Sequence, residues 1–536
     1  MSVLVGSRPG PAAAPETERR RPRFEIWVPA PRSGWWPLLA AAANALAFLL
    51  VRPNVGDLEA ALARQSAAAS GVGLGYWFDW FGGGTSPGSY SVLTPLLSTL
   101  LGAPLVGALA TVASVPLARR ALAGTGHAPA AVWIAALVGG LNLWAGRIPF
   151  GLGCAVGLAA VIAVRERRGL LAVGLAVLTM LCSPVPGAFL VLGIAAAALR
   201  APEYRGHALA VCAACGLSFI GLIIFFGNPG PEGFAVASGL LTAGTALAML
   251  VARPAPAIRA VLWCSAAAAV LLTLFPNGLG SNFTRLPWIC LPAVVVATAT
   301  ARRRMIALAV APAVALAANA TIVDLVRSGA PSASAQYYRS LIHQLGRVPN
   351  LDNYRVEVVS NPIIHTAAYA LLGHAALAGG YETQEQNQVN ALLSDPSRLN
   401  ATSYKVWLDN DAVGYVALDR LAVNTSPEYA LVQHQLPYLR RVSADRKWLL
   451  YRVANPTPIV PPPLRVVSST QAQLRISVPC ACTTALRLRY SKFLTATTAH
   501  GTVPGQVRDD GSGWTLLRTP RPGRYVLRGD LASPLR

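Results

Sequence analysis

Three carboxylates, Asp57, Glu59 and Asp79, sit in Pro53–Tyr90, the only long connector between apolar stretches in the first 326 residues. A carboxyl group at a membrane boundary is costly to keep unless it is solvated or put to use. Asp57 opens LEAALARQ, which reads as a short interfacial helix just beyond the first apolar stretch. Its sharp role is a general base that takes a proton from an acceptor hydroxyl. Its plain role is to cap that helix, for which Asp is well suited. Glu59 faces another side of a helix, so the two acids form no ready metal clamp. No metal ligand set and no obligatory cofactor is predicted, although a divalent cation is compatible with these acids.

The same connector continues as YWFDWFGGG, Tyr76–Gly84. Tyr76, Trp77 and Trp80, with Asp79 among them, have the makings of a sugar platform, because the apolar faces of sugars pack on aromatic rings. They would serve equally as an interfacial aromatic belt. Arg147 lies between two apolar stretches, and Arg285 follows Asn282 in FPNGLGSNFTRLPW. Each arginine is either a snorkelling interface residue or a fork for a lipid-linked phosphate, and Asn282 is counted with them as a substrate contact. His365 and His374 fall on an apolar helical pattern and read as packing residues. No P-loop, GxSxG, HExxH or paired CxxC occurs. That excludes the easily read enzyme classes, not enzymes.

A membrane must position these residues. The 536-residue chain is 54% hydrophobic and 13% charged, and its apolar residues crowd into 33–326. Runs approaching the ~20 residues that a bilayer span needs recur at 35–51, 91–117, 129–145, 149–164, 169–182, 187–199, 207–226, 238–252, 257–275, 287–301 and 305–326. These are about eleven predicted transmembrane helices. The net charge of +22 does not imply nucleic acid, because the arginines cluster in every second connector, as the positive-inside rule demands. Arginine there also suits anionic lipid headgroups. With 1–32 a disordered cytoplasmic tail, parity places the 52–90 loop and everything after 326 outside the plasma membrane. Of eight cysteines, six lie in or near apolar stretches as small packing residues. Cys480 and Cys482, two apart on a strand, could bridge only with strain.

Beyond 326 the composition turns polar. NYRVEVVS, VGYVALDRLAVN and KWLLYRVA read as strands and IIHTAAYALLGHAAL as helical, which predicts a mixed α/β domain over 327–456. PTPIVPPPL reads as a stiff linker or edge. Closely spaced short strands then predict a β-sandwich-like module over 457–536.

VGDLEAALARQ after the first span, YWFDWFGGGTSPGSYSVLTPLLSTLLG leading into the second, and GSNFTRL before the tenth carry a resemblance when read in order. YRVEVV, GGYETQEQ, YKVWLDNDAVGYVALD, LPYLRRV and KWLLYRV continue it through the tail. The chain resembles the GT-C superfamily of polyprenyl-phosphate-sugar-dependent glycosyltransferases, and more closely the large actinobacterial multi-spanning proteins of that architecture. GGYETQEQ departs from the more basic, Trp-containing form of those relatives. The resemblance implies an inverting, metal-optional transfer of a sugar from a polyprenyl phosphate to a lipid or glycan acceptor of the cell envelope. It places the first-loop acid on Asp57, with Glu59 second, and phosphate recognition on Arg285. Two other readings stand beside it: a transporter or flippase for a lipid-linked glycan, which predicts inverted repeats and broken helices, and a non-catalytic envelope-assembly protein that binds through its tail.

Overall fold

The computed structural model describes residues 34–84, 88–227, 230–361, 365–423, 425–498 and 504–535. The expected N-terminal tail, 1–32, lies outside them. Among the described residues, thirteen α-helices fill the first part of the chain. They are α1 (Trp36–Val51), α2 (Gly56–Ala69), α3 (Leu93–Leu101), α4 (Ala103–Ala121), α5 (Ala128–Trp144), α6 (Ile148–Arg165), α7 (Gly169–Cys182), α8 (Pro184–Ala198), α9 (Arg205–Phe226), α10 (Val236–Met249), α11 (Pro256–Leu274), α12 (Leu291–Thr298) and α13 (Arg303–Ser328). Prolines in the first turns of α4, α5, α6, α8 and α11 open helices where no backbone N–H partner is needed.

Every expected span contains a helix, but not every helix is long and apolar enough to cross a membrane by itself. Four helices, α6, α9 with its leading turn, α11 and α13, are long and apolar enough to cross a membrane, or up to six segments if each bent pair is one span. The 91–117 stretch, expected as one helix, is two. α3 and α4 meet at 106° at Gly102, whose φ of +81° is open to glycine and strained for other residues. α7 has 14 residues, about 21 Å at 1.5 Å per residue, against a hydrocarbon core of about 30 Å. The helical part is nonetheless that of a membrane protein. α9 buries only Ala208, Val211 and Cys215, while Leu209, Leu217 and Ile224 are exposed. Apolar surface so continuous belongs against lipid. Two pairs of connectors meet: Arg120 pairs with Glu166 across the turns after α4 and α6, and the Arg253 carbonyl accepts from Thr300 N–H across those after α10 and α12.

The tail builds two sheets. In the first, β1 (Arg355–Val359) pairs parallel with β2 (Val413–Asp419), which pairs antiparallel with β4 (Trp448–Val453), itself antiparallel to β3 (Leu439–Ala444). β2 is buried along its whole length, as a central strand covered on both faces must be. The second sheet is antiparallel and seven-stranded, formed by β5 (Arg465–Ser469), β6 (Gln473–Val478), β7 (Cys482–Arg489), β8 (Leu494–Thr498), β9 (Pro504–Asp509), β10 (Trp514–Thr519) and β11 (Gly523–Gly529), in the order β5-β6-β11-β8-β9-β10-β7. Ile476, Tyr525, Leu486 and Leu517, from both halves of that sheet, share one core, as in a sandwich.

From Pro37 onward the chain is one compact unit, and the long connector explains why. Tyr76 and Phe78 enter the sandwich core; Trp77, Trp80 and Phe81 enter the core around Tyr415 and Trp448 of the other sheet. Its backbone is paired on both sides, with Phe78 N–H donating to Gln471 O, Leu377 N–H to Asp79 O and Phe81 N–H to Gly379 O. The proline run expected as a linker is docked as well. Ile459 and Val460 are buried, and Ile459 N–H donates to Asn353 O.

Candidate active site

α2 leaves α1 at 72° and carries the acids. Its N-cap is Val55, which makes no side-chain cap, so Asp57 is not the capping residue that its position suggested. It stands in the first turn, where the helix dipole favours a negative charge, and its carboxylate points at cations. Oδ2 lies 3.3 Å from Arg147 Nε and 3.7 Å from an Arg285 terminal nitrogen. Oδ1 accepts from the Tyr381 hydroxyl at 3.4 Å.

Local backbone makes that meeting possible. Arg147 follows Gly146 in the α5–α6 turn, where φ is +74° and a Cβ would come within 2.5 Å of Leu58 N. Only glycine lets this turn reach the start of α2. Arg147 is also held from the far side by Asp324 of α13, at 3.5 Å. Arg285 is 8% exposed and stands 5.2 Å over the Phe150 ring, a cation–π contact that fixes the guanidinium without spending its donors.

These groups face a cavity of about 410 Å³ whose walls include Asp57, Glu59, Arg64, Tyr90, Arg147, Asn282, Arg285, Asp324, Arg327, Tyr381 and Glu382. A pocket of that size suits a small ligand headgroup. Glu59 is a different acid from Asp57. It is buried, accepts from the Thr366 hydroxyl at 2.8 Å, and desolvation pushes it up to about 8, against which the Thr366 bond acts weakly. Burial thus favours its protonated form. On the next turns of α2, Arg64 pairs with Glu382 at 2.8 Å, both nearly buried, and lies 4.9 Å over the Tyr90 ring. His365 lines the cavity with its side chain exposed there, and the crowding of protein around its ring holds the imidazole down to about 4.

Of the residues that the sequence nominated, Asp57, Glu59, Arg147, Asn282 and Arg285 come together on this cavity. Tyr76, Trp77, Asp79 and Trp80 do not. The Trp77 and Trp80 rings lie 4.1 Å apart, tilted by 33°, with no more than 1% of either residue exposed, and Trp80 Nε1 donates to Ala368 O. Tyr76 donates to Arg489 O. Asp79 accepts from Gly373 N–H, and burial pushes it up to about 7. Rings enclosed on all sides offer a sugar no face, so the platform expectation is corrected: these residues rivet the connector to both sheets. Conversely, Arg64, Tyr90, Asp324 and Tyr381 line the cavity without having been nominated, and Glu382, whose role the departure of GGYETQEQ left in doubt, lines it too. Asp324 alone had a usable signal, an acid inside an otherwise apolar helix. Among the described residues no group of three or more His, Cys, Asp and Glu side chains gathers as a metal site.

No protein-family model and no curated protein matches the chain. Three solved structures of the arabinofuranosyltransferase AftD from mycobacteria resemble it. One aligns at TM-score 0.43 and 15% identity, covering 92% of this chain and 57% of its own. A second, of the R1389S mutant, gives 0.43 and 15% over 92% and 60%; the other class of that mutant gives 0.39 and 13% over 92% and 59%. The chain thus spans about three-fifths of the length of the structures it matches.

Proposed function

We propose that the chain is an integral-membrane glycosyltransferase that moves a sugar from a polyprenyl phosphate to a hydroxyl of an envelope glycan or glycolipid. The observation that carries this reading is the Asp57 carboxylate set between Arg147 and Arg285 in a cavity where apolar helices meet the polar tail. An acid meets the need for a base, and two guanidinium groups meet the need for a counter-charge on a departing phosphate. The acceptor O–H gives its proton to Asp57 and its oxygen forms a bond to the anomeric carbon. The bond from that carbon to the phosphate oxygen breaks, and polyprenyl phosphate leaves against Arg147 and Arg285. Displacement from the far side inverts the centre.

In this reading the chain crosses the plasma membrane about eleven times with its N-terminus inside. The 52–90 connector, the α/β region over 327–456 and the sandwich over 457–536 lie outside. The cavity then faces the leaflet in which a lipid-linked donor presents its headgroup, where no soluble nucleotide sugar is at hand. Purified protein in lipid nanodiscs, supplied with labelled polyprenyl-phosphate sugars and envelope acceptor, tests this directly. Transfer that needs Asp57 supports it. A protein that binds polyprenyl phosphate but transfers nothing, or one whose tail is labelled from the cytosolic side in cells, sinks it.

A further inference from the structure

A second cavity, of about 200 Å³, lies in the α/β region and shares its walls with the first. His365 faces both. The next residue, Thr366, bonds Glu59 on the wall of the first cavity, while Ala367 and Ala368 line the second. On the other segment, Gly379 and Gly380 line the second cavity, and Tyr381 and Glu382 the first. Two short runs of chain therefore pass from one cavity to the other, and the cavities lie end to end.

Their charges differ in kind. Arg64, Arg147, Arg285 and Arg327 line the first. Among the described residues no Lys or Arg lines the second; its ionisable groups besides His365 are Glu357 and Glu428. Glu357 is 7% exposed, and its Oε2 has no hydrogen-bond partner. Glu428 accepts from the Tyr404 hydroxyl at 2.9 Å through Oε1. Burial, and then the neighbouring Glu428, push Glu357 well above the ordinary carboxyl range. A buried acceptor left unpaired is costly, on the order of 1–3 kcal/mol, and a ligand that brings O–H donors removes that cost. A phosphate or carboxylate would find no Lys or Arg among the described lining residues and two acids against it. Ser360, Asn361, Gln386, Ser394 and Ser426 instead offer neutral hydrogen-bonding partners that suit hydroxyls. Gly379, Ala367 and Ala368 put small residues on the wall of this cavity.

We propose that the second cavity is the acceptor subsite and takes a neutral, hydroxyl-rich end of a glycan, whose hydroxyls donate to Glu357 and Glu428. The donor phosphate stays among the arginines of the first cavity. This inference rests on the transferase reading above and names the chemistry of its second substrate.

The test uses the full chain in nanodiscs and two probes, read by ligand-detected NMR: polyprenyl monophosphate, and a set of neutral methyl oligosaccharides up to about 20 mM. Wild type is expected to bind one or more oligosaccharides saturably. Glu357→Leu, which keeps volume but removes the acceptor, weakens that binding about tenfold, the worth of one hydrogen bond. Ser394→Trp, at the exposed rim, abolishes it, and polyprenyl phosphate binding is unchanged in both variants. Oligosaccharide binding that survives both substitutions overturns the subsite, as does its absence in wild type across that range. Tighter binding of a diamine, the other donor-rich class, also overturns it. Wild type that binds oligosaccharide but not polyprenyl phosphate overturns the transferase reading and keeps a sugar site.

Discussion

Asp57→Asn is the decisive substitution because it removes a proton acceptor while keeping size and shape. In the cluster of Asp57, Asp324, Arg147 and Arg285 two negative charges face two positive ones. The variant leaves one net positive charge. At 3.3 Å, in an environment of effective dielectric about 20, the lost attraction to Arg147 is on the order of 5 kcal/mol before solvent screening. Asp57 is more than a quarter exposed, so the net effect on stability falls to about 1 kcal/mol, and Arg147 keeps Asp324. Donor phosphate should therefore bind as well as in wild type or better, since its competitor for the two guanidinium groups is gone. Catalysis should fall by about 10²–10⁴, the usual worth of a general base, or about 3–5 kcal/mol of barrier. The assay measures sugar transfer and polyprenyl phosphate binding side by side in nanodiscs, with the thermal midpoint as a check on folding. Lost transfer with retained phosphate binding is the expected signature. A folded Asp57→Asn protein that transfers within threefold of wild type would refute the assignment, and one that loses phosphate binding would refute the charge argument.

Arg285→Gln should do the reverse, raising the donor KM by about tenfold or more with a smaller change in kcat, because it removes one of two phosphate partners; a donor titration reads it. Glu59 gives a pH dependence whose sign is fixed. Its folded-state pKa near 8 lies above the ordinary value of 4.5, so the folded protein holds an extra proton between those values. Stability is full below about pH 4.5 and declines as pH rises through 8. Glu59→Gln should match wild type at low pH and melt higher above pH 8; equal midpoints throughout would contradict the buried acid. Arg64→Met should cost about 3–5 kcal/mol by stranding Glu382, and Arg64→Met with Glu382→Leu should recover most of it, which thermal unfolding at a fixed scan rate distinguishes. Trp80→Ala should cost about 3–5 kcal/mol and leave donor binding intact in whatever protein folds; a selective loss of sugar binding would restore the platform idea.

The sequence alone established the apolar segments, since hydrophobic runs and arginine-bearing connectors are local properties that lipid selects one segment at a time. Alternation of β-branched and aromatic residues likewise marked most strands of both sheets, including VGYVALDRLAVN, of which Val413–Asp419 forms the strand, while Leu439–Ala444, Leu494–Thr498 and Pro504–Asp509 went unread. Asp57, Arg147 and Arg285 were each legible because a charge at the edge of an apolar run is conspicuous by itself. What no local pattern holds is which distant segments touch. Trp77 and Trp80 have the composition of a binding surface and become core, because residues some 300 positions later close over them. The tilt of α2, the approach allowed by Gly146 and the return of Tyr381 to Asp57 come from long-range packing. So does the shared wall of the two cavities. The types of the groups at the candidate site were written in the chain; their distances were decided by tertiary contacts, because an ion pair or a cavity is a relation between segments and not a property of either.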